Sequence, residues 1–107
     1  MKLLIVIINN EDSQNVLSAL TENGYAATKL ATSGGFLRAG NTTLMIGVDD
    51  EKVDQVISVI GDHSRKRTQM ISPAPALGME YITAKPVEVT VGGATVFVID
   101  IEKYIKL

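Results

Sequence analysis

The chain contains no cysteine and a single histidine, His63. The first absence removes disulfides, thiolate metal sites and a cysteine nucleophile from consideration. The second leaves little material for a histidine-based catalytic centre or a zinc site. Positive charge is not in excess either. Ten Lys and Arg face twelve Asp and Glu, for a formal net charge of −2. That balance argues against a duplex binder that works by neutralising phosphates. The one basic cluster, Arg65-Lys66-Arg67, follows an expected helix and reads as a solvated loop. Long apolar runs are also missing. Residues 3–8 are six apolar residues, too few for a membrane span or a signal-peptide core. A cytoplasmic protein is expected.

What is present suits one small globular domain: 107 residues, 46% hydrophobic and 21% charged. Residues 3–8, rich in β-branched side chains, predict a central strand covered on both faces. Asn9-Asn10-Glu11-Asp12-Ser13 offers several oxygens to cap a helix, and Val16, Leu17 and Leu20 follow at helical spacing. Gly24 is expected to end that helix. Residues 25–32 read as a second strand and 42–48 as a third. Asp49-Asp50 opens a second helix, with Val53, Val56, Ile57 and Ile60 at i, i+3, i+4, i+7 and Gly61 as its expected end. Residues 68–72 read as a fourth strand. The two strand–helix units predict an α+β ferredoxin-like βαββαβ sandwich.

Residues 73–86 carry three prolines and no period, which predicts a long loop. Residues 87–91 then alternate, Gly92-Gly93 suits a tight turn at positive φ, and residues 94–99 return, so a C-terminal β-hairpin is expected. The tail, residues 100–107, could hold one helical turn carrying Tyr104. The apolar residues of the hairpin exceed what one layer of helices covers, which predicts a homo-oligomer.

The candidate site lies between residues 28 and 43. Gly34, Gly35 and Gly40 free the backbone for close approach of a ligand, yet a turn has no need of Phe36 or Arg38. Residues 35–42 approach the phosphate-loop pattern. Asn41 stands where lysine is required, however, and a strand follows instead of a helix, so a nucleotide triphosphatase is rejected. The parts still suit a nucleotide. Backbone N–H groups can form an anion nest, Arg38 can pair with phosphate, Phe36 can stack on a base, and Thr28 and Asn41 can hydrogen-bond a base edge or ribose. The alternative is a hydrophobic loop tip packed on a neighbouring subunit. Asp49-Asp50-Glu51 with Asp54 coincides with a helix start, where acids favour the dipole, so a metal site is not expected. No nucleophile stands at a recognisable spacing from a base, and no enzymatic activity is expected. Phe97, within a strand, is core by default.

Ala27-Thr28-Lys29-Leu30-Ala31-Thr32-Ser33-Gly34-Gly35-Phe36-Leu37, with Gly40-Asn41-Thr42-Thr43, resembles the signature of the cyclic di-AMP receptor family of Gram-positive bacteria, the PII-like proteins called PstA or DarA. Val87-Glu88-Val89 and the segment from Val91 to Val98 resemble that family's terminal hairpin. The resemblance implies a PII-like homotrimer that binds cyclic di-AMP in clefts between subunits, has no cofactor or enzymatic activity, and signals to an unknown protein through loop rearrangement. It implies that Thr28 and Asn41 hydrogen-bond the ligand and that Phe36 and Leu37 enclose an adenine. Main chain near Gly35 and Gly47 would complete the pocket, Phe97 would lie nearby, Ala27 opens the same signature, and Arg38 lies between its two blocks. Two other readings stay open: a PII-like sensor of ATP or ADP, and a constitutive trimeric interaction protein with no nucleotide ligand.

Overall fold

The computed structural model describes residues 1–30, 40–71 and 86–107. Strand β1 (Lys2–Asn9) leads into helix α1 (Asn10–Glu22). The chain continues through β2 (Thr28–Lys29), β3 (Asn41–Val48), a 3-10 turn (Asp50–Lys52) and helix α2 (Val53–Ser64), and closes with β4 (Arg67–Ile71), β5 (Val87–Val91) and β6 (Ala94–Asp100).

Local chemistry explains the helix limits. The Asn9 side chain accepts a hydrogen bond from the Glu11 N–H at 2.9 Å, which caps α1, and Glu11 and Asp12 complement the dipole in the first turn. At the other end Gly24 takes φ +82°, the Gly24 N–H donates to Thr21 and the Tyr25 N–H donates to Leu20. That pair of bonds is a Schellman cap. It also corrects the second strand. The Tyr25 N–H is spent on the helix end, and β2 is reduced from the expected residues 25–32 to Thr28–Lys29 among the described residues.

Gly61 does not end α2, which runs on to Ser64. Glycine inside a helix costs about 1 kcal/mol, but Val56, Ile60 and Ser64 all lie on the buried face and carry the helix past it. The Ser64 hydroxyl then donates to the Ile60 carbonyl at 2.6 Å in the last turn. The expected turn of helix in the tail is absent: residues 101–107 hold neither helix nor strand.

The main sheet is antiparallel in the order β2-β3-β1-β6. Helix α1 joins β1 to β2 with β3 between them, and β1 likewise lies between β3 and β6. These are two split β-α-β units, in a small mixed domain compatible with a ferredoxin-like α+β fold. The second unit corrects the expected topology. The strands on either side of Gly92-Gly93 do not form a hairpin: β5 pairs with β4, while β6 runs along β1 and closes the sheet. The last strand of the sandwich is therefore β6, not the expected residues 68–72, and the β4–β5 pair is inserted between α2 and β6. Gly92 and Gly93 do adopt positive φ, +83° and +91°, but at a crossing between sheets. Pairing β6 with β1 gives the central strand a partner on both edges.

Leu4, Val6 and Ile8 of β1 and Leu44, Ile46 and Val48 of β3 point to the helices, where they pack against Val16, Leu20, Val56 and Ile60. Burying each such side chain contributes ~1.5–3 kcal/mol. The opposite face of the sheet, where Leu3, Ile5, Ile7, Met45, Phe97 and Ile99 lie, has neither helix upon it. Both faces of β1 are apolar, as expected, but the described chain packs helices on only one of them.

Candidate functional site

The helix-free face of the sheet brings together three of the residues expected at a site. Thr28 stands opposite Met45, Met45 opposite Ile5, and Ile5 opposite Phe97, so all four share one face in a row across the sheet. Gly47 lies on the same face of β3, two residues beyond Met45 and opposite Leu3. Phe97 is 51% exposed and is not core. Its place on an edge strand, on the face without helices, explains the difference.

Around Thr28 and Gly47 the surface sinks into a cavity of about 320 Å³, lined also by Leu3, Ala26, Met45, Ile101 and Tyr104. The last two belong to the tail. The Ile101 N–H donates to the Met1 carbonyl at 3.2 Å, and just before it Asp100 is ion-paired with Lys2 on the adjoining strand. The pair raises the Lys2 pKa above its usual value, chiefly through the hydrogen bond to Asp100. The chemistry of this cavity is simple: one hydroxyl, one strand position without a side chain, one phenol ring and apolar walls. Such a lining suits a flat, partly apolar ligand oriented by few polar contacts.

Asn41 lies elsewhere. It pairs with Asn9 at the far end of β3 and borders a second cavity of about 290 Å³, shared with Lys66, Gly92, Gly93 and Thr95. Asn41 and Gly47 stand six positions apart along the strand, roughly 20 Å. Ala27 turns to the other side of the sheet and packs against the core, leaving Ala26 in the first cavity. Gly35, Phe36, Leu37 and Arg38 lie outside the described residues. Two backbone bonds hold the flanks of that segment: Leu30 N–H to the Thr43 carbonyl at 2.9 Å, and Asn10 N–H to the Gly40 carbonyl at 2.7 Å.

Several charged groups have structural partners. The Asp12 carboxylate, 4% exposed, receives both arms of Arg67, at 2.8 and 3.3 Å. This pair holds the Arg67 pKa above its ordinary value. Arg65 pairs with Asp62 at 3.3 Å. Two of the three cations of the basic cluster are thus committed to carboxylates. Asp50 pairs with the Met1 amino group at 2.8 Å, and that contact lowers the Asp50 pKa. Among the described residues no cluster of three or more His, Asp or Glu is arranged to hold a metal ion, and no helix is long and apolar enough to cross a membrane.

Composition, periodicity and the glycine loop gave no reason to choose Met45, Ala26, Ile101 or Tyr104. The available signal was parity: Met45 and Gly47 alternate in phase with Thr43 along one strand. No such pattern exists in the tail.

The domain and its site thus define a small α+β module with a largely apolar cavity on a sheet face that neither described helix covers. The sequence profile of the cyclic-di-AMP receptor family matches residues 1–107, the whole chain, and the protein belongs to that family. The structure is also similar to the crystal structure of a protein of unknown function from Pediococcus pentosaceus. That match has a TM-score of 0.79 and 35% sequence identity, and it covers 99% of this chain and 96% of that one. The family is one of receptors, which aligns the chain with ligand binding and signalling by cyclic di-AMP.

Proposed function

We propose that this protein is a PII-like, cytoplasmic, non-enzymatic receptor that binds cyclic di-AMP in clefts between the subunits of a homotrimer. The observation that carries the reading is the presence of Thr28 and Gly47 in one cavity on an apolar sheet face that neither described helix covers. A chain whose central strand is apolar on both faces needs a second cover, and neighbouring copies supply it. The separation of Asn41 from Thr28 within one chain fits the same arrangement. A cleft lined by two subunits takes Thr28 and Gly47 from one and Asn41 from the other, with Gly35, Phe36, Leu37 and Arg38 supplied by the glycine loop. Phe36 and Leu37 enclose an adenine, Phe97 lies at the rim, and Ala27 supports the strand that presents Thr28. Binding reorders the loops and exposes a surface to a downstream protein.

The test is a thermal-shift titration with cyclic di-AMP, with ATP and ADP as competitors. Ligand at 100 times its dissociation constant raises stability by about 2.7 kcal/mol. A response to ATP or ADP alone would replace the ligand and keep the architecture. No response to any of them at millimolar concentration would leave a constitutive interaction protein.

A further inference from the structure

The basic cluster Arg65-Lys66-Arg67 does not use its three cations alike. Arg65 pairs with Asp62, and Arg67 pairs with the buried Asp12 and also donates to the Arg65 carbonyl at 3.3 Å. These bonds fix the chain on either side of Lys66, which itself has no carboxylate partner among the described residues. Asp12 and Asp62 border a polar cavity with Lys66, but each already holds an arginine. The Lys66 stem has a seat of its own. A Cβ on Gly93 would fall 3.0 Å from Lys66 Cγ and 3.4 Å from Cε, so the stem runs close along glycine main chain. Gly93 is held in turn, at φ +91° and with its N–H donated to the Ser64 carbonyl. Lys66 thereby lines the cavity of about 290 Å³ that it shares with Asn41, Asn9 and Thr95. No carboxylate lines that cavity among the described residues. A cation ringed by amide and hydroxyl donors is the chemistry that receives an anionic oxygen.

We infer that Lys66 is a phosphate-binding residue, its ammonium pairing with a phosphodiester of the cyclic dinucleotide at the Asn41 side of the cleft. The inference rests on the nucleotide-binding reading above and deepens it. Cyclic di-AMP carries two phosphodiester charges, whereas the chain is itself negative, at −2. The molecule as a whole does not attract such a ligand, so a local cation has to. The cavity of Thr28 and Gly47 has no charged group in its lining. Recognition of charge then falls to the opposite wall of the cleft, where Asn41 and Lys66 come from one and the same chain. The division is simple: the largely apolar wall takes a base, and the polar wall takes phosphate.

The experiment is calorimetric titration of the full chain with cyclic di-AMP at about 50 and about 500 mM sodium chloride, a range over which screening of an exposed charge becomes nearly complete. Wild type, Lys66→Gln and Lys66→Arg are compared, with the oligomeric mass of each measured by light scattering. Lys66→Gln is expected to weaken binding about tenfold at low salt and unchanged mass, and to respond less to salt than wild type. Lys66→Arg, which keeps the charge, is expected to recover most of the loss. Wild-type affinity in Lys66→Gln would overturn the inference while leaving the receptor reading intact. So would an Arg variant as weak as Gln, or a weakened Gln variant with the full salt response of wild type, because either would assign the effect to the packing of the stem on Gly93. A Gln variant that changes mass together with affinity would place Lys66 in a subunit contact, and that also overturns it. A wild-type protein that binds no cyclic di-AMP would sink the receptor reading and this inference together.

Discussion

Thr28, Gly47 and Gly92 show how much one position can decide. A Cβ added at Gly47 meets only the far end of Met1, at 3.8 Å, and its backbone has no positive φ. Gly47→Val is therefore expected to leave stability unchanged or slightly raised, since a β-branched residue suits a strand. The new side chain would share the cavity with Thr28, so affinity for cyclic di-AMP should fall at least tenfold. Equilibrium melts and calorimetry on the same sample separate the two effects. Thr28→Ala removes one hydrogen bond to the ligand and should weaken binding by ~1 kcal/mol, about fivefold. Gly92 is the opposite case. Its φ is +83°, and a Cβ there falls 2.6 Å from Arg67 Nη1 and 2.7 Å from the Arg65 carbonyl. Left-handed backbone alone costs ~1–2 kcal/mol for an L-residue, so Gly92→Ala should lower stability by about 2 kcal/mol or more in urea unfolding. Unchanged stability would mean that the crossing between sheets is more adaptable than its contacts imply.

At the scale of elements, regular periodicity was readable and pairing was not. The apolar spacing of α1 and α2 and the unbroken β-branched run of β1 were legible because each is a local pattern. The length of β2 was hidden because Tyr25 looks like a strand residue but closes the Schellman cap of α1. The end of α2 was hidden because burial of Ile60 and Ser64 outweighs the cost of Gly61. The partners of β5 and β6 were hidden for a different reason. Gly92-Gly93 has the same dihedral needs in a hairpin and in a crossing, and the choice is made by distant β1. In the candidate site, the resemblance pointed to Thr28 and Gly47, which line one cavity, whereas periodicity could not place Tyr104 beside them because it lies in an irregular tail. The edge strand β6 carries its own prediction. The Lys2 pKa is raised by Asp100, so the pair's contribution is fully present below Lys2's unfolded value of 10.5 and fades as pH rises through the higher folded value. Lys2→Met should therefore lose the part of the alkaline drop in melting temperature that wild type shows above that range. Identical alkaline profiles would mean that the exposed pair contributes nothing measurable, as many such pairs do.

For the whole molecule, the sheet face that neither described helix covers joins fold to function. It carries Leu3, Ile5, Ile7, Met45 and Phe97, and it also carries the cavity of Thr28 and Gly47. Such an apolar face fits the proposed association of subunits. Light scattering should report three times the 11.5 kDa chain mass. Ile5→Lys, at the centre of the face, should yield monomers, because an unpaired charge cannot be buried there without a cost of several kcal/mol. The same variant should lose ligand affinity even though residue 5 does not line the cavity, because the proposed cleft requires two subunits. The measurement that tests the central claim most directly is a calorimetric titration of the assembled protein with cyclic di-AMP. The account predicts saturable binding with one ligand per subunit, weakened at least tenfold by Gly47→Val. No heat and no thermal stabilisation at millimolar ligand, with the assembly intact, would contradict it.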